Sequence, residues 1–219
     1  MAILATPAGS YGIPRVLAQG KRVRLRTFTR GDLPYLSKWS DSAFVEKMVA
    51  SEFIYQYKHI YHRRNDVFLD FLLRDSTQLP ALIIPRHREP EEPVGFVRLY
   101  QINLIHGFGF LETVVADPHS LRKGWGVEAS RLLLAYSLDH IGIHRVEAKV
   151  FAYNQLSINA LRRNGFRQEG VLREACFSDG KFWDILVFGI LKEEMDQERK
   201  KDEILLFPPE TEKPETEKP

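Results

Sequence analysis

At 219 residues, 44% hydrophobic and 27% charged, the chain is long enough to bury one core, is short for two, and has the composition of an ordinary globular protein. A formal net charge of +2 supplies no global field for nucleic acid or a membrane surface. The single cysteine, Cys176, excludes an internal disulfide, and no apolar run approaches the roughly 20 residues of a membrane-spanning helix.

Met1 to Tyr11 lacks the basic start and apolar stretch of a signal peptide, so the expected compartment is the cytoplasm. Residues 1–20 are mixed in character, with Gly9, Gly12 and Pro14, and read as an N-terminal arm. Val23, Leu25 and Thr27 alternate with arginines at 22, 24 and 26, the period of a half-exposed strand. Thr29 to Asp32 offers a helix cap, and Leu33, Leu36 and Trp39 follow at helical spacing. Further helices are expected near 42–50 and 62–74, around an aromatic-rich run at 53–61. That run either lines a groove or is a packed helix connection. Strands are expected at 82–84, 94–100 and 108–116, the first two joined by the Pro-bearing turn 86–93. Residues 124–140 put Ala129, Leu132, Leu133, Tyr136 and His140 on one helical face. A strand at 144–152, a helix at 155–164 stopped by Gly165, and strands near 168–177 and 182–191 around the turn Ser178-Asp179-Gly180-Lys181 complete the pattern. Residues 194–219 are dense in charge, and Pro-Glu-Thr-Glu-Lys occurs twice, at 209–213 and 214–218; the segment is expected to be a disordered tail. The order of elements predicts one α+β (mixed α/β) domain over 21–193. Its central sheet of six to seven strands is mostly antiparallel, and only the central strand–helix–strand unit must be parallel.

The sharpest local signal is Leu121-Arg-Lys-Gly124-Trp125-Gly126-Val127-Glu128-Ala129, where a glycine-bearing turn opens a helix. Such a turn leaves backbone N–H groups unpaired and lets an anion approach closely. Arg122 and Lys123 add positive charge at the same place, which points to a diphosphate held by main chain at 122–128. Three readings fit: a plain glycine loop, a dinucleotide fingerprint matching G-x-G-x-x-A, or an acyl-coenzyme A site. The fingerprint wants an acid at the end of the next strand, and that strand ends in Phe151-Ala152.

Downstream lie Asn154, Ser157, Asn159 and Asn164-Gly165-Phe166, and then Asp179-Gly180-Lys181-Phe182-Trp183-Asp184. With Val23-Arg-Leu-Arg26, Asp32-Leu33 and Asp117-Pro118, these resemble, in order, the motifs of the GNAT acetyltransferase superfamily. The nearest branch is the one containing the ribosomal-protein N-terminal acetyltransferases (RimJ/RimL-like). The resemblance covers residues 21–193. It implies a GNAT fold, acetyl-CoA as co-substrate and a primary amine, on a protein N-terminus or a small molecule, as acceptor. It implies that residues 122–127 wrap the pyrophosphate and that the strand end at Val115 and Ala116 pairs with the pantetheine arm. Asn154 is implied to bond that arm or position the next helix, and Asn159 to approach the coenzyme. The chain departs from the pattern in having Leu121 where the family carries Arg or Gln, and Leu161 where many members carry tyrosine.

Amine acetylation needs a base for the ammonium, a donor for the oxyanion and a proton for the leaving thiolate. The residues expected to act are Glu112 or Glu174 as base and Ser157, by resemblance to the ribosomal-protein branch, as the acid. Asp184 is a candidate for orienting substrate. The plainer alternatives are a solvent-facing strand residue for each glutamate and a helix-start cap for Ser157. The seven histidines show no metal spacing, so no metal is expected. No basic stripe with interleaved aromatics suggests nucleic acid. A homodimer is compatible with the sequence, as is a non-catalytic acyl-CoA-binding sensor or scaffold on the same fold.

Overall fold

The computed structural model describes residues 14–49 and 51–208. It opens with a hairpin, β1 (Val16–Gln19) and β2 (Val23–Arg26). Val23 and Leu25 are fully buried while Arg24 and Arg26 are half-buried, as the alternation predicts. Helix α1 (Leu33–Ser40) follows. Before it, the Asp32 carboxylate accepts from the Thr29 N–H at 2.8 Å and from both Arg26 guanidinium nitrogens at 2.8 and 2.7 Å. Helices α2 (Ala43–Val49), α3 (Glu52–Tyr55) and α4 (Asn65–Arg74) come next, with a π-helical turn at Gln56–Ile60 after α3. The aromatic run is a packed connection: Phe53 and Tyr57 are fully buried, and Phe53 meets Phe96 at 4.9 Å and Phe68 at 5.2 Å between ring centroids.

Strands β3 (Leu79–Pro85), β4 (Gly95–Asn103) and β5 (Phe108–Val115) form an antiparallel run. Helix α5 (Trp125–His140) then crosses to β6 (Arg145–Phe151), which lies parallel to β5. Helix α6 (Gln155–Arg163), the hairpin of β7 (Arg167–Ser178) and β8 (Lys181–Leu191), helix α7 (Lys192–Arg199) and the short β9 (Leu205–Leu206) complete the chain. Asp179 and Gly180 both have positive φ, 51° and 77°, the requirement of a tight hairpin turn whose twist matches its strands. Among the described residues nine strands form one sheet, in the order β7-β8-β6-β5-β4-β3-β2-β1-β9, and only β5 and β6 are parallel.

The sheet is covered on both faces, so its central strands read as continuous apolar runs. Ala81, Ile83, Val97 and Leu111 share a core with α5, α6 and α7. Leu82, Ile84, Phe96 and Val114 share a second core with α1, α3 and α4.

Two expectations about the ends need correction. Within the expected arm at 1–20, residues 16–19 are a paired strand, because Leu17 and Ala18 are buried under α5. Within the expected tail at 194–219, residues 192–199 form α7 and 205–206 pair with β1, which raises the sheet from the expected six to seven strands to nine. Charge density misled here. Met195 is buried in the α5 core, Ile204 and Leu206 pack beside it, and Arg199 holds Asp139 of α5 at 2.5 Å. The repeated Pro-Glu-Thr-Glu-Lys segment lies outside the described residues.

Candidate active site

Strands β5 and β6 are in register only from Phe108 to Phe110 against Arg145 to Glu147, and beyond that they part. Past that point β5 keeps β4 and β6 keeps β8, each losing its neighbour on the other side. The Ala116 N–H donates to the Val94 carbonyl at 2.9 Å, toward β4. Strand alternation therefore turns the peptide groups of Leu111, Thr113 and Val115 toward the split. On the other wall the Ala152 N–H donates to the Asp184 carbonyl at 3.0 Å, which turns the peptide groups of Lys149 and Phe151 the same way. The split is thus a slot one strand wide, with main-chain donors and acceptors on each side.

A cleft of about 960 Å³ occupies this slot and passes through the sheet. On one face it is lined by Thr113, Val115, the loop and first turn of α5 from Ser120 to Arg122 and from Gly124 to Val127, and α6. On the other it is lined by Phe44, Met48 and Val49 of α2, by Glu52 and by Arg98, Tyr100, Phe110 and Glu112.

The loop before α5 is set by Asp117, whose carboxylate accepts from the His119 N–H at 3.0 Å and the Ser120 hydroxyl at 2.9 Å. Burial pushes the Asp117 carboxyl up, but these donors outweigh it and hold the group below its usual value. Arg122 and Gly124 both take left-handed backbone, φ 61° and 79°, and Gly124 is the helix N-cap with no side-chain cap. The first turn's N–H groups are accordingly left for an outside acceptor. Gly126 permits a close approach of α5 to β5: a Cβ built there lies 3.2 Å from Val115 Cγ2 and 3.6 Å from Thr113 Cγ2.

Asn154 caps α6 and ties the two sides of the cleft together. Its carbonyl oxygen accepts from the Ser157 N–H at 3.1 Å and its amide donates to the Met48 carbonyl of α2 at 2.7 Å. It is buried, lines the cleft and by these two bonds holds the start of α6 against α2. Ser157 and Asn159 line the cleft beside it.

Glu112 pairs with Arg98 through Oε2, and both side chains are nearly buried, at 13% and 7% exposed. The Arg98 guanidinium lies over the rings of Phe53 and Tyr100, at 4.9 and 4.3 Å. Burial, and secondarily the Glu112 charge, push the Tyr100 phenol up to about 12, so at neutral pH it is a hydrogen-bond donor.

The cleft brings together Glu112, Val115, Arg122, Gly124, Trp125, Gly126, Val127, Asn154, Ser157 and Asn159. Four expected residues, Glu174, Asp184, Ala116 and Lys123, fall outside its walls. Glu174 sits exposed in an irregular stretch of β7, with φ 51°, where its N–H donates to Asp184 Oδ1 at 2.9 Å. Asp184 is thereby a partner of the β7 backbone. Ala116 is buried with its N–H spent on Val94, so Val115, not Ala116, faces the slot. Lys123 is exposed and places Nζ 4.7 Å from the Trp125 ring centroid. The helical part of the acceptor-side wall comes from α2 and Glu52, and no residue of the expected aromatic run 53–61 lines it. Arg98 and Tyr100 were missed because an arginine and a tyrosine alternating in a strand read as ordinary solvent-facing positions. Among the described residues no cluster of His, Cys, Asp and Glu could hold a metal ion.

Residues 22–167 match the acetyltransferase (GNAT) domain family. The chain belongs to the GNAT acetyltransferase family. The chain is 29% identical over 157 residues to the alpha/beta-tubulin-N-acetyltransferase 9 of Mus musculus, covering 68% of this chain and 63% of that protein. It is 27% identical to the N-acetyltransferase p20 of Bacillus licheniformis, covering 80% of this chain and 95% of that one. The fold matches the crystal structure of spermidine N-acetyltransferase from Vibrio cholerae in complex with CoA and spermine, with a TM-score of 0.65 and 20% identity over 79% of this chain and 97% of that one. It also matches RimL, the ribosomal L7/L12 alpha-N-protein acetyltransferase, with a TM-score of 0.66 and 18% identity over 85% of this chain and 99% of that one. No helix among the described residues is long and apolar enough to cross a membrane.

Proposed function

We propose that the protein transfers the acetyl group of acetyl-CoA to a primary amine by direct attack. The observation that carries this reading is the slot between β5 and β6 at the N-terminus of α5. The slot suits an extended arm bearing amides, and the uncapped helix end suits a diphosphate. In the reaction the amine nitrogen bonds to the thioester carbon, the C–S bond breaks and the thiolate leaves. An N–H facing the slot from Thr113 or Val115 stabilises the oxyanion. Glu112 takes the ammonium proton, directly or through a water, and the Ser157 hydroxyl serves the thiolate.

The acceptor side narrows the amine. Its walls are apolar (Phe44, Met48, Val49, Phe110, Phe151), and the acids Glu52 and Glu112 are matched by the bases Arg98 and Lys149. Balanced charge with apolar walls supports an amine beside an apolar group, as at a peptide N-terminus, over a polycation. The test is coenzyme thiol release with acetyl-CoA and two acceptor sets, short peptides with free N-termini and linear polyamines. Release with peptides is the expected result. Release with polyamines alone overturns the acceptor assignment. Coenzyme binding without release from any amine overturns the enzyme reading and leaves a sensor.

A further inference from the structure

Arg22, Arg24 and Arg26 lie along one short strand and its approach, and the structure treats them differently. Arg26 is held by Asp32 and Arg24 pairs with Glu91. The Arg22 side chain has no carboxylate partner among the described residues. It lies instead along the loop before α5: a Cβ built at Gly124 falls 3.1 Å from Arg22 Nη1, 3.7 Å from Cζ and 4.0 Å from Cδ. A guanidinium at a helix N-terminus sits at the end that repels cations, and Arg122 and Lys123 are in the same loop. The Arg22 guanidinium therefore lies beside a helix N-cap that has no side-chain cap, in a loop that carries two further cations. The one acid of that first turn, Glu128, is engaged by backbone N–H groups of Lys21, Arg22 and Val23, so the arrangement favours an anion from outside the chain beside the Arg22 guanidinium.

The position of Arg22 is not accidental to side-chain packing, because its backbone is clamped. Glu128, in the first turn of α5, is 5% exposed. Its Oε1 accepts from the Lys21 N–H at 3.0 Å, and its Oε2 accepts from the Arg22 and Val23 N–H groups at 2.8 Å each. Charge-assisted bonds to three consecutive N–H groups fix the β1–β2 turn against the helix that opens the coenzyme site. The same turn is held from its other side, where Arg86 donates to the Gly20 carbonyl at 2.8 Å.

We propose that Arg22 is a phosphate-binding residue of the coenzyme site, supplied by the β1–β2 turn, and that Glu128 is the positioning residue that holds it beside Gly124. This rests on the acetyl-CoA reading above. The anion is a phosphate of the coenzyme, either the diphosphate or the 3′-phosphate of its ribose. Calorimetry of the full chain with acetyl-CoA, and with its 3′-dephospho form, separates these. Arg22→Ala is expected to raise the acetyl-CoA Kd by about tenfold, the scale of one charge-assisted contact, and Arg22→Lys by less. Arg22 is exposed, so these variants keep the wild-type melting temperature. If the penalty of Arg22→Ala vanishes with the dephospho form, the partner is the 3′-phosphate; if it persists, the partner is the diphosphate. Glu128→Gln is expected to raise the KM for acetyl-CoA and leave the acceptor KM unchanged, a split that a general loss of stability does not produce. Wild-type affinity in Arg22→Ala overturns the assignment of Arg22 alone. No acetyl-CoA binding by the wild type overturns the coenzyme reading itself.

Discussion

Gly126 separates two effects that a single substitution would blur, bulk and charge at the mouth of the coenzyme slot. A methyl at this position falls 3.2 Å from Val115 Cγ2, closer than ordinary van der Waals contact. Relieving it costs on the order of 1 kcal/mol, and exchanging glycine for alanine in a helix returns about 1 kcal/mol. Gly126→Ala is therefore expected to melt within a few degrees of wild type and to bind acetyl-CoA somewhat more weakly, because the methyl narrows the gap between α5 and β5. Gly126→Glu adds a carboxylate near the expected diphosphate. At a separation of about 5 Å and an effective dielectric of about 20, each unit of phosphate charge repels it by about 3 kcal/mol, or more than a hundredfold in Kd. Calorimetry on the three proteins, with melting curves to confirm folding, makes the comparison. The glutamate variant should lose affinity far beyond the alanine variant, and the difference should shrink at high salt as charges are screened. Equal affinity of the alanine and glutamate variants would refute the placement of the diphosphate at this turn, whatever the wild-type Kd.

Glu112→Gln removes the proposed base while keeping an oxygen for Arg98, so kcat should fall by at least about a hundredfold with a smaller change in either KM. A rate within threefold of wild type, in a turnover assay across pH 6 to 9, dismisses Glu112 as base. Met195→Ala empties a site that is 2% exposed beneath α7 and should cost about 2–4 kcal/mol in urea unfolding; a cost near zero contradicts the docking of α7 on α5. Asp32 predicts a pH dependence. Burial pushes its carboxyl up, but the bonds from Arg26 and Thr29 outweigh this, and its folded value lies below the ordinary 3.8. A depressed value stabilises the fold fully above the unfolded pKa. That contribution is lost as the pH falls through 3.8 toward the folded value. Asp32→Asn should be less stable at pH 7 and show a shallower loss between pH 5 and 3 than wild type; parallel curves contradict the assignment.

The strand–turn–helix at 108–140 was legible because its signals are local. A mostly apolar run marks β5, and glycines at 124 and 126 open a helix whose apolar positions recur at 3.6. The slot itself was not legible, since it arises where two parallel strands stop pairing, and nothing in Leu111 to Val115 announces a missing neighbour. Val115 and Ala116 show the limit: a one-residue difference decides which peptide faces the slot, and that phase is set by β4 pairing. Glu128 reads in sequence as an acid suited to a helix start; its partners lie more than a hundred residues away in the β1–β2 turn. The tail misread followed the opposite logic. Average charge over 194–219 hid three apolar residues, Met195, Ile204 and Leu206, placed where α5 and β1 offered an uncovered surface.

The choice of base follows from which face of the sheet each acid occupies. Along β5, Leu111, Thr113 and Val115 turn to the α5 side, as the 2.8 Å contact of Thr113 Oγ1 with Ser130 Oγ shows, so Glu112 turns to the side of α2 and α3. In the reaction proposed above, an acceptor amine entering past Met48 and Glu52 would meet Glu112 at the place where the slot opens through the sheet. Tyr100 lies next to it, but a phenol with a pKa of about 12 holds its proton and cannot serve as base near neutral pH. Glu174 belongs to the sheet's outer hairpin, and the slot is bounded by β5 and β6 instead. Arg98 explains how a half-buried carboxylate is kept at this point: its guanidinium takes one oxygen, Oε2, and is itself held by the Gln78 amide oxygen at 3.4 Å and by two aromatic faces. The other oxygen of Glu112 has no partner among the described residues, and it is the one available for the amine proton. Replacing Arg98 with methionine should therefore cut turnover almost as deeply as Glu112→Gln, whereas the coenzyme Kd, set on the opposite face, should hold within about threefold.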